Sequence, residues 1–287
     1  MNDQANRLRA LARNQAPEPG LFSCRVMAIA SGKGGVGKTN VVAGLAMALA
    51  QEGQRVAVLD ADFGLANLDI LLGLSPRFTL EHVLRGERLM EEILVEAPFG
   101  IQIIPASSGI QELTRLDAAG ELRLVQGLQR ISANYDWLLI DTAAGIHDSV
   151  VKLLMAAQEV LLVTTPEPTA LVDAYAMVKV VHLRDAQKPL WLLVNNAQGP
   201  EEAEETIEQL QAATRRFLNR DLHILGMLPA DLSVLQAVRQ QRGVLELFPR
   251  APVSQALRLA ARQLQDKIPL QKDGFAAFWN GLKAEEP

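Results

Sequence analysis

Ser31-Gly32-Lys33-Gly34-Gly35-Val36-Gly37-Lys38-Thr39 lies between an apolar run, Val26-Met27-Ala28-Ile29-Ala30, and a helix-like stretch from Val41 to Ala50. A strand, a glycine-rich turn and a helix in that order make a phosphate-binding loop. Glycines at 32, 34, 35 and 37 let backbone N–H groups approach phosphate oxygens with no Cβ in the way, and the helix N-terminus adds positive potential. Lys38 supplies a cation, Thr39 an oxygen ligand for Mg²⁺, and Val36 and Asn40 complete the loop. Such a loop predicts an α/β fold: a mostly parallel, twisted sheet with helices on both faces.

Outward from the loop, apolar runs rich in β-formers alternate with helical patterns. Strands are expected near Arg25 to Ser31, Arg55 to Asp60, Ile101 to Pro105, Asp136 to Asp141, Glu159 to Thr165, Leu190 to Asn195 and His223 to Leu228. Trp137-Leu138-Leu139-Ile140 is continuously apolar rather than alternating, as a parallel strand covered on both faces must be, with right-handed crossovers between such strands. Val253, Ala256, Leu257, Ala260 and Leu264 have helical spacing and predict a late helix packed on the sheet. Residues 1–13 read as a short basic amphipathic helix, and Asn14-Gln15-Ala16-Pro17-Glu18-Pro19-Gly20 as a linker. The expected organisation is an extension and linker over 1–20, one large domain over 21–270, and an amphipathic segment over 271–287.

Composition narrows the chemistry. A net charge of −5 over 287 residues argues against a surface that tracks nucleic acid throughout. Cys24 is the single cysteine, so one chain forms no disulfide, no four-thiolate zinc site and no complete thiolate set for an iron–sulfur cluster. The four histidines, at 82, 147, 182 and 223, have no metal-site spacing. With no apolar run of about 18 residues and no apolar stretch at the start, the expectation is a cytoplasmic protein that neither spans a membrane nor is exported.

Three strand ends carry carboxylates or amides suited to a nucleotide. Val58-Leu59-Asp60-Ala61-Asp62 ends a strand with two aspartates, and Asp62 is placed to orient a water in line with a γ-phosphate, whereas turn formation and helix capping are the alternative roles of the pair. Trp137 to Asp141 is a buried strand ending in a carboxylate that would support Mg²⁺, and the Gly145 N–H, four residues on, can approach a γ-phosphate and sense ATP against ADP. Trp191-Leu192-Leu193-Val194-Asn195 ends in an amide with a donor and an acceptor to offer adenine; for Asn195 and Asp231 a turn or cap role stands beside base binding.

The second lysine of the loop, Lys33, resembles the signature residue of the MinD/ParA ATPases, whose deviant phosphate loop uses that lysine to reach the partner's phosphates across an ATP-sandwich dimer. The resemblance runs from about Val26 to Leu264. It implies a Mg²⁺-dependent, dimer-stimulated ATPase with Lys33, Lys38 and Asp62 catalytic, and Thr39, Asp60 and Asp141 around the metal. It also implies Glu167 at ribose across the interface, Asn195 at the base, and backbone beside Pro229 in Gly226-Met227-Leu228-Pro229-Ala230-Asp231 lining an adenine pocket.

Within that family, Asp3-Gln4-Ala5-Asn6-Arg7-Leu8-Arg9 resembles the N-terminal motif of the FlhG/FleN flagellar-number regulators. Asp60 to Asp69, Asp141 to Val151 and Ala156-Ala157-Gln158-Glu159-Val160 are similar to that branch as well. The resemblance implies ATP-dependent homodimers that regulate flagellar number, placement and gene expression, with an FlhF-type GTPase met through Asp3, Gln4, Arg7, Leu8 and Arg9, and a FleQ/FlrA-type AAA+ transcription regulator. The alternative is a ParA/MinD-type ATPase for DNA partitioning, cargo positioning or division-site placement; the acidic total argues against direct DNA binding. Phe275, Phe278, Trp279 and Leu282 form one apolar face, which either lies in the inner face of the membrane, at the cell pole, or docks on the protein itself.

Overall fold

The computed structural model describes residues 24–62, 67–106 and 118–267. The N-terminal residues Asp3, Gln4, Arg7, Leu8 and Arg9, the C-terminal face of Phe275, Phe278, Trp279 and Leu282, and the stretch Phe63 to Ala66 lie outside them. Among the described residues eight strands form one sheet: β1 (Arg25–Ala30), β2 (Val56–Ala61), β3 (Val95–Glu96), β4 (Gln102–Ile104), β5 (Trp137–Thr142), β6 (Glu159–Thr164), β7 (Leu190–Ala197) and β8 (His223–Pro229). The helices are α1 (Lys38–Gln51), α2 (Leu68–Leu71), α3 (Leu80–Leu84), α4 (Met90–Ile93), α5 (Ala118–Ser132), α6 (Asp148–Ala156), α7 (Pro168–Arg184), α8 (Pro200–Leu218), α9 (Leu232–Arg239), α10 (Val244–Leu247) and α11 (Pro252–Lys267).

The spatial order is β3-β4-β2-β5-β1-β6-β7-β8, parallel throughout except for β3 against β4. All seven strands expected from the sequence are present. The eighth, β3, pairs only Val95 and Glu96 with β4 around the turn at Pro98–Gly100, and two residues are too few to show a period-2 pattern.

The continuous apolar strands have the cause inferred for them. On β1, Val26, Ala28 and Ala30 pack into a core with α3, α5, α6 and α7, while Met27 and Ile29 point into a second core with α1 and α11. Successive side chains alternate faces, so a strand covered on both sides must be apolar at every position. The late helix extends beyond its predicted limits at both ends, and Val253, Leu257, Ala260 and Leu264 are buried. It leans on α1 where Gly44 leaves room: a Cβ there would stand 2.6 Å from Leu257 Cδ1.

β1 is the central fact for function. It runs between β5 and β6, and the chain leaves β1 towards β2 in one half of the sheet but leaves its neighbour β6 towards β7 in the other. In an open α/β sheet such a switch point opens a crevice at the carboxyl ends of the strands.

Candidate nucleotide site

The phosphate loop fills that crevice. Gly35 and Gly37 have φ of +84° and +85°, the left-handed region that costs a residue with a Cβ but not glycine. Gly37 precedes α1 with no side chain capping the helix, which leaves the first N–H groups of the helix directed at the crevice. Gly32 is needed for a different reason. A Cβ there would lie 2.3 Å from the backbone oxygen of Asp173, because the first turns of α7 press on the loop.

Lys38 is buried and its ammonium pairs with Asp141. Asp141 is brought there by register: it lies beside Ile29 on β1 and beside Asp60 on β2. Burial raises the Asp141 carboxyl above its usual range, against the pull of Lys38 and of a hydrogen bond from Thr39, while Asp62 adds a repulsive charge. Asp60 is buried as well and is pushed up to about 7, first by burial and then by Asp141, although it accepts N–H bonds from Asp62 (3.1 Å), Asn67 (3.2 Å) and Leu68 (3.3 Å). Asp62 is half-buried just beyond β2. Two adjacent buried carboxylates, a threonine hydroxyl and a lysine form a donor set that fits Mg²⁺ with a phosphate: the cation offsets the carboxylate repulsion, and the phosphate offers Lys38 a second anion.

Gly145, with φ +90°, donates its N–H to the Ser31 carbonyl at 2.9 Å, and the Thr142 hydroxyl donates to the Ile29 carbonyl at 2.8 Å. The turn after β5 is thus tied to the start of the phosphate loop, so a phosphate must compete with Ser31 for the Gly145 N–H. Lys33 points elsewhere than Lys38: its ammonium is 2.9 Å from Glu167 Oε2 and 3.0 Å from Thr169 Oγ1. Glu167 immediately precedes α7, where the helix dipole favours a carboxylate.

The base-binding candidates are occupied by structural contacts. Asn195 donates from Nδ2 to the Val36 carbonyl at 2.8 Å. Asp231 caps α9 by accepting the Ser233 N–H at 2.8 Å, and it reaches the Val253 N–H at 3.3 Å. Burial works against its charge, but these hydrogen bonds hold its carboxyl below the ordinary range. The cap role weighed for Asp231 is therefore the one its contacts show. Pro229 ends β8, and the next N–H, of Ala230, bonds to Ala197 O on β7 at 2.8 Å. Sequence reasoning missed Thr169, the backbone of Asp173 and the Ser31 carbonyl. The first had a signal, a hydroxyl two residues after Glu167 at a helix start; backbone contacts have none.

A Gly-rich loop at the switch point of a parallel sheet, with its lysine on a strand-end aspartate, defines a P-loop nucleotide-binding domain. A family model described as an AAA domain matches residues 24–189. Antiactivator FleN of Pseudomonas aeruginosa is 46% identical over 264 residues, 92% of this chain and 94% of that protein. The flagellum site-determining protein YlxH of Helicobacter pylori is 33% identical, covering 98% of both chains. Among solved structures, the MinC:MinD cell division complex of Aquifex aeolicus superposes with a TM-score of 0.69 at 28% identity, over 86% of this chain and 99% of that one. MinD of Pyrococcus horikoshii complexed with Mg-ADP does so with 0.69 at 26%, over 85% and 97%. The chain belongs to the MinD/ParA family of ATPases, and its similarity to FleN and YlxH sets it beside the flagellar-number regulators of that family.

Proposed function

We propose that this flagellar-number regulator is an ATP-dependent dimerising switch with slow, Mg²⁺-dependent hydrolysis. The observation that carries the reading is the division of labour between the two loop lysines. Lys38 is buried on Asp141, whereas Lys33 is turned outward and its side chain is 41% exposed. A cation held at the rim by a replaceable ion pair is available to a second copy of the chain. Ile146 beside Gly145, Val172 on the first turns of α7 and Leu232 at the start of α9 are exposed apolar residues at the same carboxyl-end face, in keeping with a surface that a partner copy covers.

In this reading Lys38, Thr39 and the loop N–H groups bind the phosphates, and Asp141 with Asp60 supports the metal. Asp62 orients water, and Lys33 completes the partner's site. Bound Mg-ATP supplies the anhydride that is cleaved and the cation that shields its charge. Hydrolysis then acts as a timer on the dimer.

The flagellar partners follow from the branch: an FlhF-type GTPase met by Asp3, Gln4, Arg7, Leu8 and Arg9, and a FleQ/FlrA-type AAA+ regulator. The C-terminal face of Phe275, Phe278, Trp279 and Leu282 is proposed to bind the membrane interface in the ATP dimer. Size-exclusion chromatography of the full chain with ATP, ADP and no nucleotide, alongside phosphate release, tests the switch: dimer with ATP only is expected, and a monomer in all three overturns it. Liposome sedimentation with and without residues 275–287 tests the tail.

A further inference from the structure

The end of β7 is irregular. Its register with β8 shifts between Val194 and Ala197, and Asn196 takes φ +59°, the left-handed region. A bulge of this kind re-aims a side chain, and the side chain concerned is that of Asn195. It crosses to the phosphate loop, with Nδ2 2.8 Å from the Val36 carbonyl and so close to Gly37 that a Cβ there would stand 2.4 Å from it. A carbonyl only accepts, so the amide nitrogen faces it.

The Val36 carbonyl and the Gly37 N–H belong to one planar trans peptide, in which the two groups point in opposite directions. Holding the carbonyl towards β7 therefore aims the Gly37 N–H the other way, away from β7. We propose that Asn195 is a positioning residue for phosphate, acting through the Val36–Gly37 peptide, and that it does so whether or not a base is present. The idea rests on the nucleotide-site reading above, and differs from the base contact expected of Asn195. Only glycine at 37 admits the amide, which explains why that residue is doubly constrained, by its φ and by its neighbour.

A ligand that has phosphates and no base separates the two roles. Mg-tripolyphosphate and Mg-ATP would each be titrated against a fluorescent ATP analogue on the full chain, wild type, Asn195→Ala and Asn195→Leu, the last keeping the branched outline but lacking the donor. Unfolding midpoints without ligand establish that each is folded. The expected result is that both variants bind both ligands more weakly by the same factor, on the order of fivefold for one neutral hydrogen bond. Weaker ATP with unchanged tripolyphosphate would make Asn195 a base contact alone and overturn the proposal, as would no change in either. A wild-type chain that binds neither ligand overturns the nucleotide reading and this one with it. One that binds both yet never dimerises with ATP removes the switch and leaves the role of Asn195 standing.

Discussion

Lys33 and Glu167, 134 residues apart in sequence, are joined at the rim of the phosphate loop, Nζ to Oε2 2.9 Å. The two side chains are 41% and 64% exposed, and a pair so open to water contributes about 0–1 kcal/mol. That is weak enough for Lys33 to exchange Glu167 for a phosphate. In that pairing the ammonium sits at the rim, on Glu167 and Thr169, while Lys38 pairs with Asp141 inside the site.

Lys33→Ala is accordingly expected to bind ATP within a few-fold of wild type yet to elute as a monomer at ATP concentrations that dimerise the parent. Equilibrium dialysis and sizing on the same preparation check this. A Lys33→Ala dimer of wild-type strength would mean the lysine has no role across an interface.

Asp62 lies beyond β2, close enough to raise the Asp141 pKa. If it orients the attacking water, Asp62→Ala should lower turnover by about 10²-fold or more, the scale of a lost general base, while ATP binding and the ATP dimer persist. Turnover near wild type in a phosphate-release assay would take Asp62 out of the reaction.

Asp60 has a pH signature. Its folded carboxyl is raised from the ordinary 3.8 to about 7, so the folded chain holds an extra proton between about pH 4 and about pH 7. A raised pKa means stability that is greatest at the acid end and lost as pH rises through about 7. In metal-free buffer the unfolding midpoint should fall from about pH 5.5 to about pH 8, and Asp60→Asn should flatten that slope. Mg²⁺, which favours the ionised pair, should flatten it too. A midpoint independent of pH in the wild type would contradict the burial argument.

Gly32 and Gly34 look alike in sequence but not in their surroundings. A Cβ on Gly32 meets the Asp173 backbone at 2.3 Å, whereas one on Gly34 finds only Ala144 Cβ at 4.0 Å. Gly32→Ala must displace the loop or α7, and is expected to cost about 1–3 kcal/mol of stability and at least about tenfold in ATP affinity. Gly34→Ala should leave the unfolding midpoint close to wild type. Calorimetry on the two variants compares them directly; equal midpoints would sink the packing account.

Much of this was legible beforehand because it is local. A left-handed turn asks for glycine, a doubly covered strand for unbroken apolar residues, and a helix start for the loop that precedes it, so Ser31 to Thr39, β1 and β5 announce themselves. β3 did not, being two residues of pairing held by a turn. Asn195 read as a base contact, with a turn or cap role beside it, and the chain gives no sign that a bulge at Asn196 turns its donor onto Val36. Asp231 carried two readings, and only the tertiary structure shows the contacts of one of them, the cap that accepts from Ser233 and Val253.

By itself, then, the amino-acid sequence determined a phosphate loop between strand and helix, a sheet buried on both faces, and two lysines where one suffices for a nucleotide. The tertiary structure alone decided which groups meet. Asp60 and Asp141 became a coupled pair because β5 inserts beside β2, and Lys33 was assigned to Glu167 because α7 presses on Gly32. Strand order and helix approach depend on contacts between residues far apart in the chain, and no local pattern encodes those.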